Sequence, residues 1–456
     1  MFLTYHKSDQ SVGKEMRSAN SSGILLIIAT LYGILILSPL VFPSINSVMI
    51  RNTGEIVNAR ASVTAKSGSA IDIQAAVDLV ASTGGDVYIP EGTFNFVNVG
   101  EWSSSFGAPV VTVPAGVSVY GAPTQRDTSG QVISWNTVLV CPWDVPDQGS
   151  LGGPWFFFQG NGNPNKPSRF SDIRMEGYRY LNPSSTTQGP KGIILDEIMN
   201  FRIDHCYFRD VTGGAVWAGW YGPNTDNTGD YRTHTNGVID HSLFINTNGI
   251  PGPTTSEATV GYGIHLARVH STYWDSDILN VVGHYTTYTT FIEDCYFEKW
   301  RHCVTANDGY HFVFRYNTVN ADFGFGSIDQ HGTYNAVGTR AVEVYGNTFT
   351  NCLEGYNHEV SRQRGGAGVY FNNVVDGSYG LFVGTSKDGL TPTYALVGYI
   401  PDCPLYIWDN TLASGVTTNS FGSAIPLVEG ENLFYSELSG YTPYIYPHPL
   451  TVDATP

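Results

Sequence analysis

A six-residue phrase recurs along the chain and limits its fold more than any other feature. It reads IDHCYF from residue 203, IDHSLF from 239, IEDCYF from 292 and FRYNTV from 314. It continues as VYGNTF from 344, YFNNVV from 370 and IWDNTL from 407. Each copy is apolar, two variable residues, then Cys, Ser or Asn, one variable residue, then apolar again. The fourth positions are Cys206, Ser242, Cys295, Asn317, Asn347, Asn373 and Asn410, with gaps of 36, 53, 22, 30, 26 and 37 residues. A fixed phrase with unequal gaps is the signature of stacked coils, in which strands stay in register while turns lengthen freely. A one-residue slip would turn the apolar side outward, so register is enforced. The small polar position then stacks on itself, and Asn317, Asn347, Asn373 and Asn410 are expected to form a ladder of side-chain amides. IRMEGY from 173 reads as one further copy. The gap of 53 residues is expected to hide a degenerate one near YWDSDIL, from 273.

After residue 165 there is almost no helical periodicity. Gly 51, Tyr 28 and only 14% charged residues agree with strands and tight turns. The clear helical pattern comes earlier, in DIQAAVDLVASTGGDVYIPEGTF, residues 72–94. Ile73, Ala76, Val77 and Val80 make one apolar stripe, Asp72 serves as cap or first-turn acid, and Gly84-Gly85 stops the helix. VYIP follows as a first strand, and VVTVPAGVSVYG from 110 repeats the cadence. This stretch and the recurring phrase resemble the right-handed parallel β-helix proteins of the pectate-lyase-like superfamily, over residues 67–440. The expected fold is therefore all-β: a single-stranded right-handed parallel β-helix whose open N-terminal end is covered by a capping helix.

The N-terminus carries a targeting signal. Lys7, Lys14 and Arg17 precede the apolar run of residues 23–42, interrupted late by Pro39. It is expected to be a signal peptide or a membrane anchor helix, with residues 1–22 a polar cytoplasmic segment and the rest of the chain extracellular. Residues 43–66 read as a linker. The Tyr- and Pro-rich tail, 441–456, is expected to pack along or over the last coil. A net charge of −17 excludes nucleic acid as a partner. None of the six cysteines forms a C-x-x-C pair, and they read as buried free thiols.

Stacked coils turn sequence offsets into columns. Two residues before the ladder stand Asp204, Asp240, Glu293, Arg315, Tyr345, Phe371 and Trp408, a column that strand alternation points outward. Its three carboxylates require neutralisation, by Arg202 and Arg315 or by a calcium ion, which makes Asp204, Asp240 and Glu293 candidate metal ligands. Asp226, Asp230, Asp275 and Asp277 lie in further oxygen-rich loops. No organic cofactor is expected. Tyr345, Phe371 and Trp408 form an aromatic strip that either stacks on sugar rings or lies beneath the tail.

The densest polar region, residues 300–365, holds His302, Asp308, His311, Asp329, His331, Arg340, His358, Glu359, Arg362 and Arg364. The superfamily resemblance implies a polysaccharide partner and, for its lyases, β-elimination on uronic-acid glycans. That chemistry needs a neutralised carboxylate, a base for the adjacent proton and an acid for the leaving oxygen. His331 is the candidate base, Asp329 its orienting carboxylate, Arg340 and Arg364 the carboxylate forks and Tyr334 the acid. His302, Trp217, Trp220, Tyr345 and Trp408 are candidate substrate contacts. The chain departs from characterised relatives. It has no Arg-x-Pro-x-x-Arg motif of calcium-dependent pectate lyases. NTD at 224–226 and QHG at 330–332 resemble polygalacturonase-like hydrolases, but the expected Asp-Asp pair and Arg-Ile-Lys motif are missing. A polygalacturonase-like hydrolase is one alternative; a non-catalytic adhesin or envelope protein built as a rigid rod is the other.

Overall fold

The computed structural model describes residues 49–50, 56–57, 60–96, 110–141 except 129, 154–177, 190–219, 235–247, 261–267 and 282–283, then 289–331 except 308 and 324, 339–353, 358–385, 404–420 and 428–452. Residues 1–48, with the leader or anchor, lie outside the described residues. Among the described residues no helix is long and apolar enough to cross a membrane.

Three long parallel sheets run the length of the molecule, one of twelve strands and two of ten. The chain visits them in rotation. Thr289–Glu293 belongs to the first sheet, Tyr296–Glu298 to the second and His302–Ala306 to the third; His311–Arg315, Thr318–Asn320 and Phe325–Gln330 then repeat the cycle one coil on. Every strand pairs in parallel with its counterpart in the next coil, as in Phe291↔Val313↔Glu343↔Val369. Among the described residues this is a parallel β-helix of ten coils, counted on the ten-stranded second sheet.

Each coil sends alternate residues inward, where like stacks on like. Phe208, Phe244 and Phe297 stack with centroids 4.9 and 4.7 Å apart. The helix Ala70–Val80 closes the N-terminal end with Ile73, Ala76, Val77 and Val80 buried, as the stripe predicts. Its cap is Ser69, whose hydroxyl accepts from the Asp72 amide at 3.3 Å, so Asp72 is the first-turn acid. The segment read as a linker already contributes a strand: Ala61–Thr64 pairs with Gly85–Tyr88 and begins the first sheet.

The asparagine ladder is present at the bend from first to second sheet. Asn347 Oδ1 accepts from the Asn317 backbone amide at 2.9 Å and from its Nδ2 at 3.2 Å; Asn373 and Asn410 repeat the arrangement. Asn317 Oδ1 accepts from the Cys295 amide, and Ser242 Oγ from the Cys206 amide, so Ser and Cys continue the column. Cys141, Cys206, Cys295, Cys303 and Cys352 are buried free thiols, as expected; Cys403 lies outside the described residues.

A rule the sequence reading missed governs the residue just before the ladder. Asp172, His205, His241, Asp294, Tyr316, Gly346, Asn372 and Asp409 all have φ between 47° and 69°. One left-handed residue per coil makes the corner, and short polar side chains tolerate that conformation best. This column also corrects two assignments. Ser171 pairs with Asp204 and Arg174 with Tyr207, so Ile173, not Glu176, is the counterpart of Cys206. The phrase begins at Phe170, three residues earlier than IRMEGY suggested. Asp240 pairs directly with Glu293 and Phe244 with Phe297, so no coil is hidden in the 53-residue gap. The long spacing is insertion between strands of a single coil.

The tail does not stop at the last coil. After Leu433–Phe434 it runs back along the outer face of the first sheet. Tyr441 packs edge-on against Phe371 and Trp408 and donates to Glu343 at 2.6 Å. Arg315 donates to the carbonyls of Tyr444 and Ile445 at 2.9 and 3.1 Å. Tyr446 donates to Asp294, and the His448 amide to Glu293, at 2.8 and 2.9 Å. From Trp408 to Glu293 is four coil steps, about 19 Å. The seven residue-to-residue steps from Tyr441 to His448 reach roughly 23 Å when extended. The strap therefore lies nearly straight along the solenoid axis.

Candidate functional site

The third sheet carries the other polar face. Its strands place Trp217, His265, Thr305, Asp329 and Arg362 in one register column, each one coil beyond the last. Asn307, His331 and Arg364 follow at the strand ends, where the His331 amide donates to the Ala306 carbonyl and the Arg364 amide to the Gln330 carbonyl, both at 2.9 Å. A turn closes behind Arg364 through Gly366, at φ 75°, where a Cβ would lie 2.4 Å from the Thr339 carbonyl oxygen.

Asp329 is fully buried and is the hub. Arg364 Nε donates to Oδ1 at 3.0 Å and Arg364 Nη2 to Oδ2, a fork-on-fork pair. His331 Nε2 lies 3.0 Å from Oδ2 and 2.8 Å from Arg364 Nη2. His302 Nε2 stands 3.5 Å from Oδ2 while its Nδ1 donates to the Gly326 carbonyl at 2.6 Å. Burial alone pushes the Asp329 carboxyl up; the Arg364 charge and then His331 outweigh it and hold the group well below the usual carboxylate range. Burial lowers His302 well below its ordinary value, so that ring is neutral. His331 Nε2 thus stands between an oxygen that only accepts and a guanidinium that only donates; the tautomer with its proton on Nε2 serves Asp329 and is the one that leaves the Nδ1 lone pair open. The His331 side chain is 21% exposed, so solvent and ligand reach it while Asp329 stays dry.

Cations and aromatic rings continue along the same face, Lys191, Trp217 and His265 in earlier coils. Lys191 sits 4.7 Å over the Trp217 ring, and burial lowers its ammonium to about 8. Trp217 lies 4.0 Å from the buried ring of His265, which burial, then the nearby His331 and Lys191 charges, lower to about 3. Tyr262 stacks on His302 at 5.5 Å. Arg301 stands over both Tyr262 and Phe325, at 5.7 and 5.5 Å, and has no carboxylate partner among the described residues. Arg362 pairs with Glu359 at 2.7 Å. The two carboxylates described here, Asp329 and Glu359, are thus both held by arginine, and neither is free to act as the acid of a hydrolase pair.

The structure gathers Asp329, His331, Arg364 and His302 as one cluster, with Trp217 on the same face. Arg340 is buried at the head of the first-sheet strand Ala341–Tyr345. Tyr334, Trp220, Asp308, Asp226, Asp230, Asp275 and Asp277 lie outside the described residues. Tyr345 and Trp408 require correction as substrate contacts. They stack on Phe371, both at 4.5 Å, but Tyr441 of the strap covers that stack.

The carboxylate column also differs from the expectation of a metal site. Asp204, Asp240 and Glu293 are in register and fully buried. Arg169 grips Asp204 with two bonds of 2.6 Å, Arg202 grips Asp240 at 3.0 and 2.9 Å, and Arg315 Nε donates to Glu293 at 2.7 Å. His205 and His241 add contacts to Asp204 and Asp240. Oxygens committed to arginine forks leave no open coordination sphere, and among the described residues no group of three His, Cys, Asp or Glu could hold a metal ion. Of the two ways to neutralise this column, arginine is the one observed.

Lys191, His265, Tyr262 and Arg301 were not singled out from sequence. Their signal is a three-residue cadence, as in Ile264-His265-Leu266, Val304-Thr305-Ala306 and Ile328-Asp329-Gln330, which is short and separated from the six-residue phrase by variable spacers.

No family model matches the chain, and no curated protein does. Solved structures do. An alginate lyase from Paenibacillus superposes with a TM-score of 0.40 at 13% identity, over 79% of this chain and 99% of that one. A tailspike protein of E. coli bacteriophage HK620, in complex with a pentasaccharide, gives 0.40 at 15% identity, over 81% of this chain and 58% of the tailspike. A tailspike of an Acinetobacter baumannii bacteriophage, a capsular polysaccharide depolymerase, gives 0.38 at 12%, over 80% and 61%. Likenesses this loose transfer neither residues nor activity. The parallel β-helix stands on the strand pairing described above.

Proposed function

We propose that the chain is an exported polysaccharide-binding β-helix protein that cleaves uronic-acid glycans by β-elimination on the third-sheet face. The observation that carries this reading is the Asp329–His331–Arg364 cluster with Arg301 on the same face: a cationic, histidine-bearing site on a chain of net charge −17. An acidic protein that concentrates cations on one strip selects anionic ligands there. Arg301, which has no carboxylate partner among the described residues, is the guanidinium for the sugar carboxylate. His331 Nδ1 takes the proton next to the carboxylate, and Asp329 stabilises the imidazolium that forms. As the C–H bond breaks a carbon–carbon double bond forms, the glycosidic C–O bond breaks, and the His331 imidazolium returns its proton to the leaving oxygen, which restores the base. The leader of residues 23–42 places this activity outside the cell membrane.

The test is incubation of the chain with pectate, alginate and other uronans, with and without calcium, following the ultraviolet absorbance of the unsaturated product. A rising signal that His331→Ala removes is expected. A flat trace on every uronan with binding retained would refute the lyase and favour the adhesin.

A further inference from the structure

The outward column of the first sheet continues beyond the part the strap covers. Toward the N-terminus it runs Asp204, Ser171, Tyr120, Tyr88 and Thr64. The described part of the strap ends against the strands Asn236–Asp240 and Met199–Asp204. Tyr88, beyond it, is 41% exposed.

These residues form an ordered stack. The Arg169 guanidinium lies 5.8 Å from the Tyr120 ring, and Tyr120 stacks on Tyr88 at 5.3 Å and 22°. On the side of Tyr88 away from Tyr120 the register partner is the small Thr64. A cavity of about 420 Å³ opens there, lined by Thr64, Tyr88, Ile89, Tyr120, Arg126 and Asp172. Arg126 and Thr124 both bond Asp172, at 3.0 and 2.9 Å, which fixes a neutral set of donors and acceptors at the rim. Volume, an apolar floor and a few fixed polar groups are the makings of a small-ligand site.

We infer that this cavity is a second carbohydrate site, distinct from the third-sheet face, which takes one neutral hexopyranose unit with its C–H face on Tyr88 and its hydroxyls on Arg126, Asp172 and Thr124. The covered half of the same column shows what such a surface accepts: Tyr441 packs there against Phe371 and Trp408. A neutral sugar is indicated because Arg126 is already matched by Asp172, in contrast to the unmatched Arg301 of the other face.

The experiment is saturation-transfer NMR on the full chain with the methyl glycosides of glucose, galactose, mannose and glucuronic acid. Binding of at least one neutral glycoside is expected at about millimolar Kd, weakened about tenfold in Tyr88→Ala and retained in His331→Ala. Thr64→Tyr keeps the tyrosine stack and fills its open face, so it is expected to lose binding even if Tyr88→Ala folds poorly. Absence of binding by all the neutral glycosides, binding that survives Thr64→Tyr, or binding lost in His331→Ala alone would each overturn the inference, the last by moving the sugar to the third sheet.

Discussion

Asn347→Ala removes the middle rung of the ladder, and its cost follows from the bonds it breaks. Asn347 Oδ1 accepts from the buried Asn317 amide at 2.9 Å, and Nδ2 donates to the Phe314 carbonyl at 2.9 Å and the Tyr345 carbonyl at 3.1 Å. The Tyr345 carbonyl keeps the Tyr316 amide as a partner, and Asn317 Nδ2 keeps the Ile292 carbonyl. Two buried backbone groups, the Asn317 amide and the Phe314 carbonyl, lose the bond that Asn347 supplied. At roughly 1–3 kcal/mol for each such group, the variant is expected to lose about 2–6 kcal/mol. Asn410→Ala breaks equivalent bonds at the end of the ladder, where Asn410 is half-buried and water replaces part of what is lost. Urea unfolding followed by tryptophan fluorescence should therefore place the Asn347→Ala midpoint clearly below that of Asn410→Ala. Equal midpoints, or a cost for Asn347→Ala under about 1 kcal/mol, would refute the idea that the ladder amides hold the corner together.

Asp329→Asn should lower turnover at least about 100-fold, because the base loses the anion that orients it, while uronan binding persists; steady-state kinetics beside a binding assay separates the two. The strap should loosen in acid. Burial lowers His448 from 6.5 to about 4, and its Nδ1 accepts from the Leu450 amide at 3.1 Å. The unfolded chain thus takes up a proton between these values that the folded chain refuses. Stability is lost as pH falls from 6.5 toward 4, by up to about 3 kcal/mol, and His448→Gln should flatten that part of a pH–stability curve.

The corner ladder and the capping helix were legible because their residue types admit few alternatives. Asparagine at a buried bend reports its own bonding, and Ile73, Ala76, Val77 and Val80 report their own face. The column Asp204, Asp240, Glu293 was placed correctly by counting, but sequence named both arginine and calcium as ways to neutralise it. Arg169, the partner of Asp204, lies 35 residues upstream, where nothing in the phrase points to it. Asp329, His331 and Arg364 were found because two of them are near neighbours in a polar stretch and the third lies just one coil on. Lys191 and His265 belong to the same face but lie several coils earlier, across spacers whose lengths carry no register. The aromatic strip stayed open between sugar and tail because its cover comes from residues more than thirty positions beyond it. Nothing within Tyr345, Phe371 or Trp408 distinguishes a ring that meets glycan from one that meets Tyr441.

The strap has a consequence for how the protein is made. Coils can stack in order as they leave the ribosome, each templated by the one before. The flank carrying Arg315, Glu293 and Glu343 stays unsealed until the segment around Tyr441–His448 has followed. Messages cut short before that point would still yield a stacked solenoid, but with buried charges open to water and an apolar seam unzipped, a form that a protease or chaperone could tell from the finished molecule.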